Sequence, residues 1–150
     1  MTVTIEVTAW SDPDGVKLRA AQRTELDTRY GADTEPGVKP TAEDIAVFLI
    51  ARDDAGEALG CGALRLLDDD TAEIKRMFVV AAARGTGAAT LLLRALESEA
   101  VTRGITRLLL ETGPAQPDAV RFYQREGYAP APPFGHYVHS ATSLFFGRDL

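Results

Sequence analysis

Thr71–Gly104, TAEIKRMFVVAAARGTGAATLLLRALESEAVTRG, is the stretch whose reading decides the fold. Ile74 to Val80 is apolar and rich in β-branched residues, the composition of a buried strand. A tight loop, Arg84-Gly85-Thr86-Gly87, follows it. From Ala88-Ala89-Thr90 onward, a leucine stripe at helical spacing predicts a helix. Strand, glycine loop and helix in that order aim backbone N–H groups and the positive end of the helix dipole at one point. Such a point suits a phosphate.

Upstream, Ala46–Arg52 and Ala58–Leu67 read as strands joined by the turn Asp53-Asp54-Ala55-Gly56. Asp68-Asp69-Asp70 turns the chain again into Thr71–Val80, so three strands form an antiparallel meander. The aspartate triplet reads as a solvated turn rather than a cation site. At the start, Val3–Trp10 alternates, with Val3, Ile5, Val7 and Ala9 on one face of a half-buried strand. Ser11-Asp12-Pro13 caps a helix that runs towards Tyr30 and ends at Gly31. Gly31–Pro40, GADTEPGVKP, is a loop, either a plain connector or a determinant of substrate choice. Downstream, Thr106–Thr112 follows the crossover helix and should pair parallel to Thr71–Val80. Pro117 opens a short helix, Asp118–Glu126, closed by Gly127, and SLFFGRDL supplies a last strand. Residues 1–150 therefore read as one α/β domain.

Composition narrows the function classes. A net charge of −6 and a pI near 4.9 argue against nucleic acid as a partner. No apolar run approaches the roughly 20 residues of a membrane span, and the N-terminus lacks a signal-peptide pattern. A single cysteine, Cys61, rules out an internal disulfide and fits the cytoplasm. The two histidines, His136 and His139, have no ligand cluster around them, so no metal is expected.

Two common nucleotide loops fail on spacing. No Gly-Lys pair exists for a P-loop. Gly85-Thr86-Gly87-Ala88-Ala89-Thr90 lacks the third glycine of a dinucleotide fingerprint and lies mid-chain. The pattern Arg84-x-x-Gly87-x-Ala89 instead resembles the signature of the GNAT superfamily of acyl-CoA-dependent N-acetyltransferases. The helix run AVRFYQREGY resembles that family's downstream tyrosine element. The order of elements over nearly the whole chain is also similar. EIKRMFV, LETG, QPDAVRFYQREGY and PFGHY resemble a poorly characterised bacterial subgroup of the family. Ala81-Ala82-Ala83 departs from the proline and bulky residue often found before the arginine, and Ala89 replaces the commoner glycine.

The resemblance implies a mixed, mainly antiparallel sheet of six to seven strands with flanking helices and a parallel, splayed strand pair at the cofactor site. It implies acetyl-CoA as co-substrate, with the pyrophosphate on the backbone of Arg84, Gly85, Thr86, Gly87, Ala88 and Ala89. Thr90 would add a hydroxyl, and the pantetheine would pair with backbone at Met77, Phe78 and Val79. It makes Tyr123 the general acid at the leaving sulfur. Glu73 becomes the first candidate base, or else a structural partner of Lys75 or Arg76; Glu111, His136 or water are the alternatives. A Lys-like amine costs roughly 4–5 kcal/mol to neutralise at neutral pH, so some proton acceptor is required. Cys61 reads as a small core residue rather than an acyl carrier. The expected reaction is direct acetyl transfer to a primary amine of a small-molecule or amino-acid-like acceptor. Transfer to a protein or peptide and a non-catalytic acyl-CoA-binding module are the rivals. Pairing as a homodimer through the C-terminal strands is a further implication.

Overall fold

The computed structural model describes residues 2–31, 39–138, 140 and 142–150. β2 (Ile45–Arg52), β3 (Ala58–Leu66) and β4 (Thr71–Val79) form the expected antiparallel meander. β1 (Thr4–Val7) lies outside β2; β5 (Arg107–Thr112) lies beside β4. β7 (Leu144–Asp149) and the short β6 (Ala129–Pro130), which the sequence did not announce, complete the sheet. The strand order is β1-β2-β3-β4-β5-β7-β6, and β4–β5 is the parallel pair.

α1 (Pro13–Tyr30) packs on one face of this sheet; α2 (Ala88–Thr102) and α3 (Pro117–Arg125) cover the other. Asp12 caps α1 by accepting from the N–H groups of Asp14 and Gly15, and Gly31 ends it in the left-handed conformation at φ 79°. α2 buries Leu92, Leu93, Leu96 and Ala100 against Val47, Leu49, Leu64 and Ile74. Leu18 of α1 meets Phe48, Ile50, Cys61 and Ala63 on the opposite face. Cover on both faces explains why β2 and β3 read as near-continuous apolar runs rather than alternating ones.

The first strand departs from expectation. Val7 is 59% exposed, and Ala9 is also exposed. β1 is an edge strand with one neighbour, and the chain turns towards α1 after Val7 (Asp12 N–H to the Ala9 carbonyl, 3.0 Å), so its apolar face is only partly covered.

Candidate active site

Beyond β4 the chain makes a single 3₁₀ turn at Ala81–Ala83, then extends at Arg84 and enters α2 through Gly85 and Gly87. Both glycines are left-handed (φ 80° and 89°), a conformation that costs an ordinary L-residue roughly 1–2 kcal/mol. A Cβ on either would project into open space, with nothing within 4 Å. Gly87 offers no side-chain cap, and the first turn of α2 holds no acidic residue. Its N–H groups therefore stand ready for an outside anion. They border a cavity of about 600 Å³ that runs along Met77, Phe78 and Val79 and is rimmed by Arg29, Arg84 and Arg125.

Side chains of this loop turn away from the cradle. Arg84 donates through Nε to the Val79 carbonyl (3.0 Å) and through Nη2 to Glu25 (2.8 Å). Thr86 donates its hydroxyl to the Ala83 carbonyl. Thr90, expected to offer its hydroxyl to phosphate, donates it to Glu126 at 2.5 Å. That carboxylate is also held by Arg94 at 3.0 Å. What the loop leaves open is thus backbone N–H, and Thr90 is tied to the start of the turn after α3.

The parallel pairing of β4 and β5 covers only Thr71–Glu73 against Arg107–Leu109; beyond it no pairing joins the two strands. A bulge accompanies the separation. Against β3, the register slips between Cys61 and Ala63, and Arg76 carries the extra residue at φ 57°. On the splayed edge, the Met77 carbonyl accepts from Gln22 Nε2 (3.1 Å) and the Val79 carbonyl from Arg84 Nε. Gly60 permits this strand geometry, because a Cβ there would sit 2.5 Å from the Phe78 carbonyl oxygen.

A second cavity, of about 390 Å³, opens between the C-terminal half of α1, the diverging parts of β4 and β5, and α3. The two cavities share Gln22, Leu26, Met77, Gln116, Ala119 and Tyr123. Tyr123 is only 7% exposed and packs edge-on against Phe122 and Tyr128. Its hydroxyl has no hydrogen-bond partner among the described residues. Burial raises its pKa, so it stays protonated at neutral pH. Glu111 lines the second cavity and accepts from the Ser143 hydroxyl at 2.6 Å; Ser143 is linked in turn to Ser140 (2.7 Å). At the cavity floor, Tyr30 Oη accepts from the Ala115 N–H (3.2 Å) and from Gln116 Nε2 (3.3 Å). Gly113 lets Tyr30 approach closely, since a Cβ there would fall 1.9 Å from the Tyr30 hydroxyl and move that side chain. The Gln22 Oε1 and Thr112 Oγ1 atoms are buried at these walls without a hydrogen-bond partner among the described residues.

Glu73 does not reach this space. It is fully buried and lines neither cavity. Its Oε1 accepts from Arg65 Nε (3.1 Å) and Nη2 (2.9 Å), and its Oε2 from the Tyr137 hydroxyl (2.6 Å). Lys75 Nζ lies 3.8 Å from Glu73 and donates to Tyr137 Oη at 2.8 Å. The reason is positional: at residue 73 β4 is still paired with β5, and the side chain points at Arg65 across the β3–β4 ladder. Glu73 thus sits in a buried ionic cluster with Arg65, Lys75 and Tyr137, which fits the alternative of a structural partner of Lys75, and of this cluster Lys75 alone lines the second cavity.

Arg65 and Tyr137 were missed in the sequence, whereas Lys75 was named there as an alternative structural partner of Glu73. The signals available were cations inside the apolar runs GCGALRL and EIKRMF, and the tyrosine of PFGHY. His136 sits in a 3₁₀ turn, but its side chain lies outside the described residues, as do residues 32–38 of the loop after α1. Cys61 is buried, donates to the Arg76 carbonyl (3.2 Å) and has its thiol pushed up to about 12 by burial, so it is a core residue. Among the described residues no cluster of three or more His, Cys, Asp or Glu could hold a metal, and no helix is long and apolar enough to cross a membrane.

Known proteins resemble this chain in sequence and fold. The "IAA acetyltransferase" of Azospirillum brasilense is 40% identical over 104 residues, covering 69% of this chain and 67% of that protein. The structure of a Klebsiella pneumoniae protein assigned as an acyl-CoA N-acyltransferase superposes with a TM-score of 0.86 at 32% identity, covering 99% of this chain and 98% of the other. A GNAT acetyltransferase from Elizabethkingia anophelis, solved with acetyl-CoA bound, shares the fold at 18% identity (TM-score 0.72, covering 99% and 98%). Residues 9–128 match the Acetyltransferase (GNAT) family itself. This match, together with these relatives, makes the chain a member of the GNAT family, an enzyme of acetyl-CoA-dependent acetyl transfer.

Proposed function

We propose that the chain acetylates a primary amine of a small-molecule acceptor by direct attack of that amine on the thioester. The observation that carries this reading is the junction of the two cavities at Tyr123. The cofactor fits the residues present: capless N–H groups at the start of α2, open space beside Gly85 and Gly87, and a buried Gln22 Oε1 lacking a partner where the cavities meet. Arg84, Gly85, Thr86, Gly87, Ala88 and Ala89 would hold its phosphates through backbone, and Met77, Phe78 and Val79 would flank its pantetheine arm. Bound acetyl-CoA supplies the activated acyl carbon and a sulfur leaving group.

Tyr123 then serves that sulfur. As the carbon–sulfur bond breaks and the carbon–nitrogen bond forms, the phenol donates its proton, or a hydrogen bond, to the departing thiolate. Glu111, held by Ser143, takes the proton released by the amine, directly or through one water. It is favoured over Glu73 because it lines the acceptor cavity. Glu73 instead fixes Tyr137 and Lys75. A cavity of about 390 Å³ suits a compact acceptor better than a polypeptide.

Tyr123→Phe tests the reading. Thiol release from acetyl-CoA should fall by about 10²-fold or more, while stabilisation of the protein by acetyl-CoA in a thermal melt is kept. Unchanged turnover would remove Tyr123 from the chemistry.

A further inference from the structure

We infer that Glu126 is a positioning residue for acetyl transfer: tied to Thr90 and Arg94 of α2, it fixes the span between the phosphate cradle and the Tyr123 hydroxyl. The inference rests on the acetyl-transfer reading above and adds a residue that acts through Tyr123.

α3 is nine residues long and buries only Tyr123. Helices shorter than about 12–15 residues are marginal on their own in water, so α3 depends on its surroundings. Where Tyr123 stands is therefore decided by what holds the two ends of this helix. At the first end, the Ala115 N–H and Gln116 Nε2 donate to Tyr30 Oη of α1. At the other end stands Glu126, the C-cap, with a side chain only 12% exposed. Its Oε1 accepts from the Thr90 hydroxyl and its Oε2 from Arg94 Nη2 (3.0 Å). Its carbonyl accepts from Arg94 Nη2 (3.3 Å) and from Arg148 Nη1 of β7 (3.1 Å).

α3 alone gives no reason for a carboxylate at this position, because the C-terminal end of a helix dipole disfavours an anion. The tie to α2 supplies the reason. Thr90 is the third residue of α2 and lines the cofactor cavity, as Tyr123 does. Arg94 lies one turn further along α2 and offsets the charge of Glu126. The tie continues past Gly127. Glu97, held by Arg94 at 2.8 Å, accepts from the Tyr128 hydroxyl at 2.8 Å, and the Tyr128 N–H donates to the Tyr123 carbonyl at 2.9 Å. An isolated exposed ion pair would contribute little. Here a shielded carboxylate is bonded at both oxygens within a network, so the register of α3 on α2 is set.

That register matters because the cofactor has a fixed reach from its pyrophosphate to its sulfur. If α3 slides along α2, the backbone cradle still binds phosphate, but the phenol no longer meets the sulfur. A displacement of about 1 Å costs on the order of 10²-fold in rate.

Acetyl-CoA alone is the probe, so the acceptor need not be known. The full chain is isotope-labelled at its four tyrosine rings, and Tyr123→Phe assigns the Tyr123 NMR signal by its disappearance. Acetyl-CoA should shift that signal in the wild-type chain. In Glu126→Ala, acetyl-CoA should still raise Tm, while the shift of the Tyr123 signal is lost. Glu126→Gln, which still accepts from Thr90 and Arg94, should recover most of the shift. Thr90→Val breaks the tie without touching α3 and should repeat the loss, which decides the matter if Glu126→Ala does not fold. A merely structural Glu126 would lower Tm and leave the shift at its wild-type size, and that result overturns the inference. Loss of acetyl-CoA stabilisation in a folded Glu126→Ala overturns it too, since the residue would then serve binding. If acetyl-CoA stabilises the wild-type chain without moving the Tyr123 signal, Tyr123 does not meet the sulfur and the inference falls with it. Failure of acetyl-CoA to stabilise the wild-type chain overturns the transfer reading itself.

Discussion

Glu73→Gln separates a buried structural carboxylate from a catalytic one. In the folded chain Glu73 is 0% exposed and faces Arg65 (3% exposed), Lys75 (8%) and Tyr137 (1%). Gln keeps the shape and removes the charge. Arg65 then keeps Asp44 at 3.5 Å, a half-exposed carboxylate, while the buried carboxylate between the two cations is gone. The amide must also turn one of its N–H donors towards Arg65 or Tyr137, which already donate to this site. Removing one partner of a buried ion pair costs about 3–5 kcal/mol. For a domain of this size each kcal/mol lowers Tm by about 2–4 °C, so a fall of roughly 6–20 °C is expected. The assay pairs a thermal melt with thiol release at a temperature where the variant remains folded. If Glu73 is structural, kcat per folded molecule drops by less than about tenfold, whereas loss of a general base costs about 10²–10⁴-fold. Glu111→Gln is the control and should invert the pattern, with Tm nearly kept and kcat lost. An unchanged Tm with kcat abolished in Glu73→Gln would refute the assignment of both carboxylates.

Gly60→Ala should loosen the cofactor strand, because the new methyl would lie 2.5 Å from the Phe78 carbonyl oxygen and 3.0 Å from Val79 Cγ2. Overpacking of this kind costs about 1–3 kcal/mol; a melt should show the loss and titration should show weaker acetyl-CoA binding, and no change in either contradicts the close approach. Alkaline pH should destabilise the chain. Burial raises the Cys61 thiol from 9.0 to about 12 and lifts Tyr123, Tyr128 and Tyr137 above their ordinary 10.0. The folded state therefore keeps protons that the unfolded state has released, so this stability is intact below about pH 9 and is lost as pH rises through the folded values. Urea midpoints that increase between about pH 9 and pH 11 would contradict the sign.

How much of this could be read from the chain depended on how local the determining contacts are. The strand, glycine loop and helix from Thr71 to Gly104 carry their own instructions: apolar spacing, two glycines at left-handed positions, and an arginine before them. The meander is equally local, since short turns join its strands. Tyr123 could be placed because Gly127 and Tyr128 close α3 in a recognisable way, with the Tyr128 N–H on the Tyr123 carbonyl at 2.9 Å. The ionic cluster could not, because Tyr137 reaches Lys75 across 62 residues and Arg65 reaches Glu73 only through the register of β3 on β4. The bulge was hidden for the same reason: nothing local to EIKRMF says which residue is extra, and without that Glu73 seems to head the site. The Thr90 bond to Glu126 was hidden too, because Glu126 belongs to the turn after α3.

The parting of β4 from β5 opens a strand edge in the middle of a sheet, and such an edge is a template for unwanted pairing with another chain. Here the Met77 and Val79 carbonyls on it are covered by Gln22 from α1 and by Arg84 from the loop itself. These side chains blunt the edge, and a ligand whose amides paired with it would have to replace their hydrogen bonds. Gln22→Ala should expose this edge, and the empty enzyme should then self-associate more readily than the cofactor-loaded one.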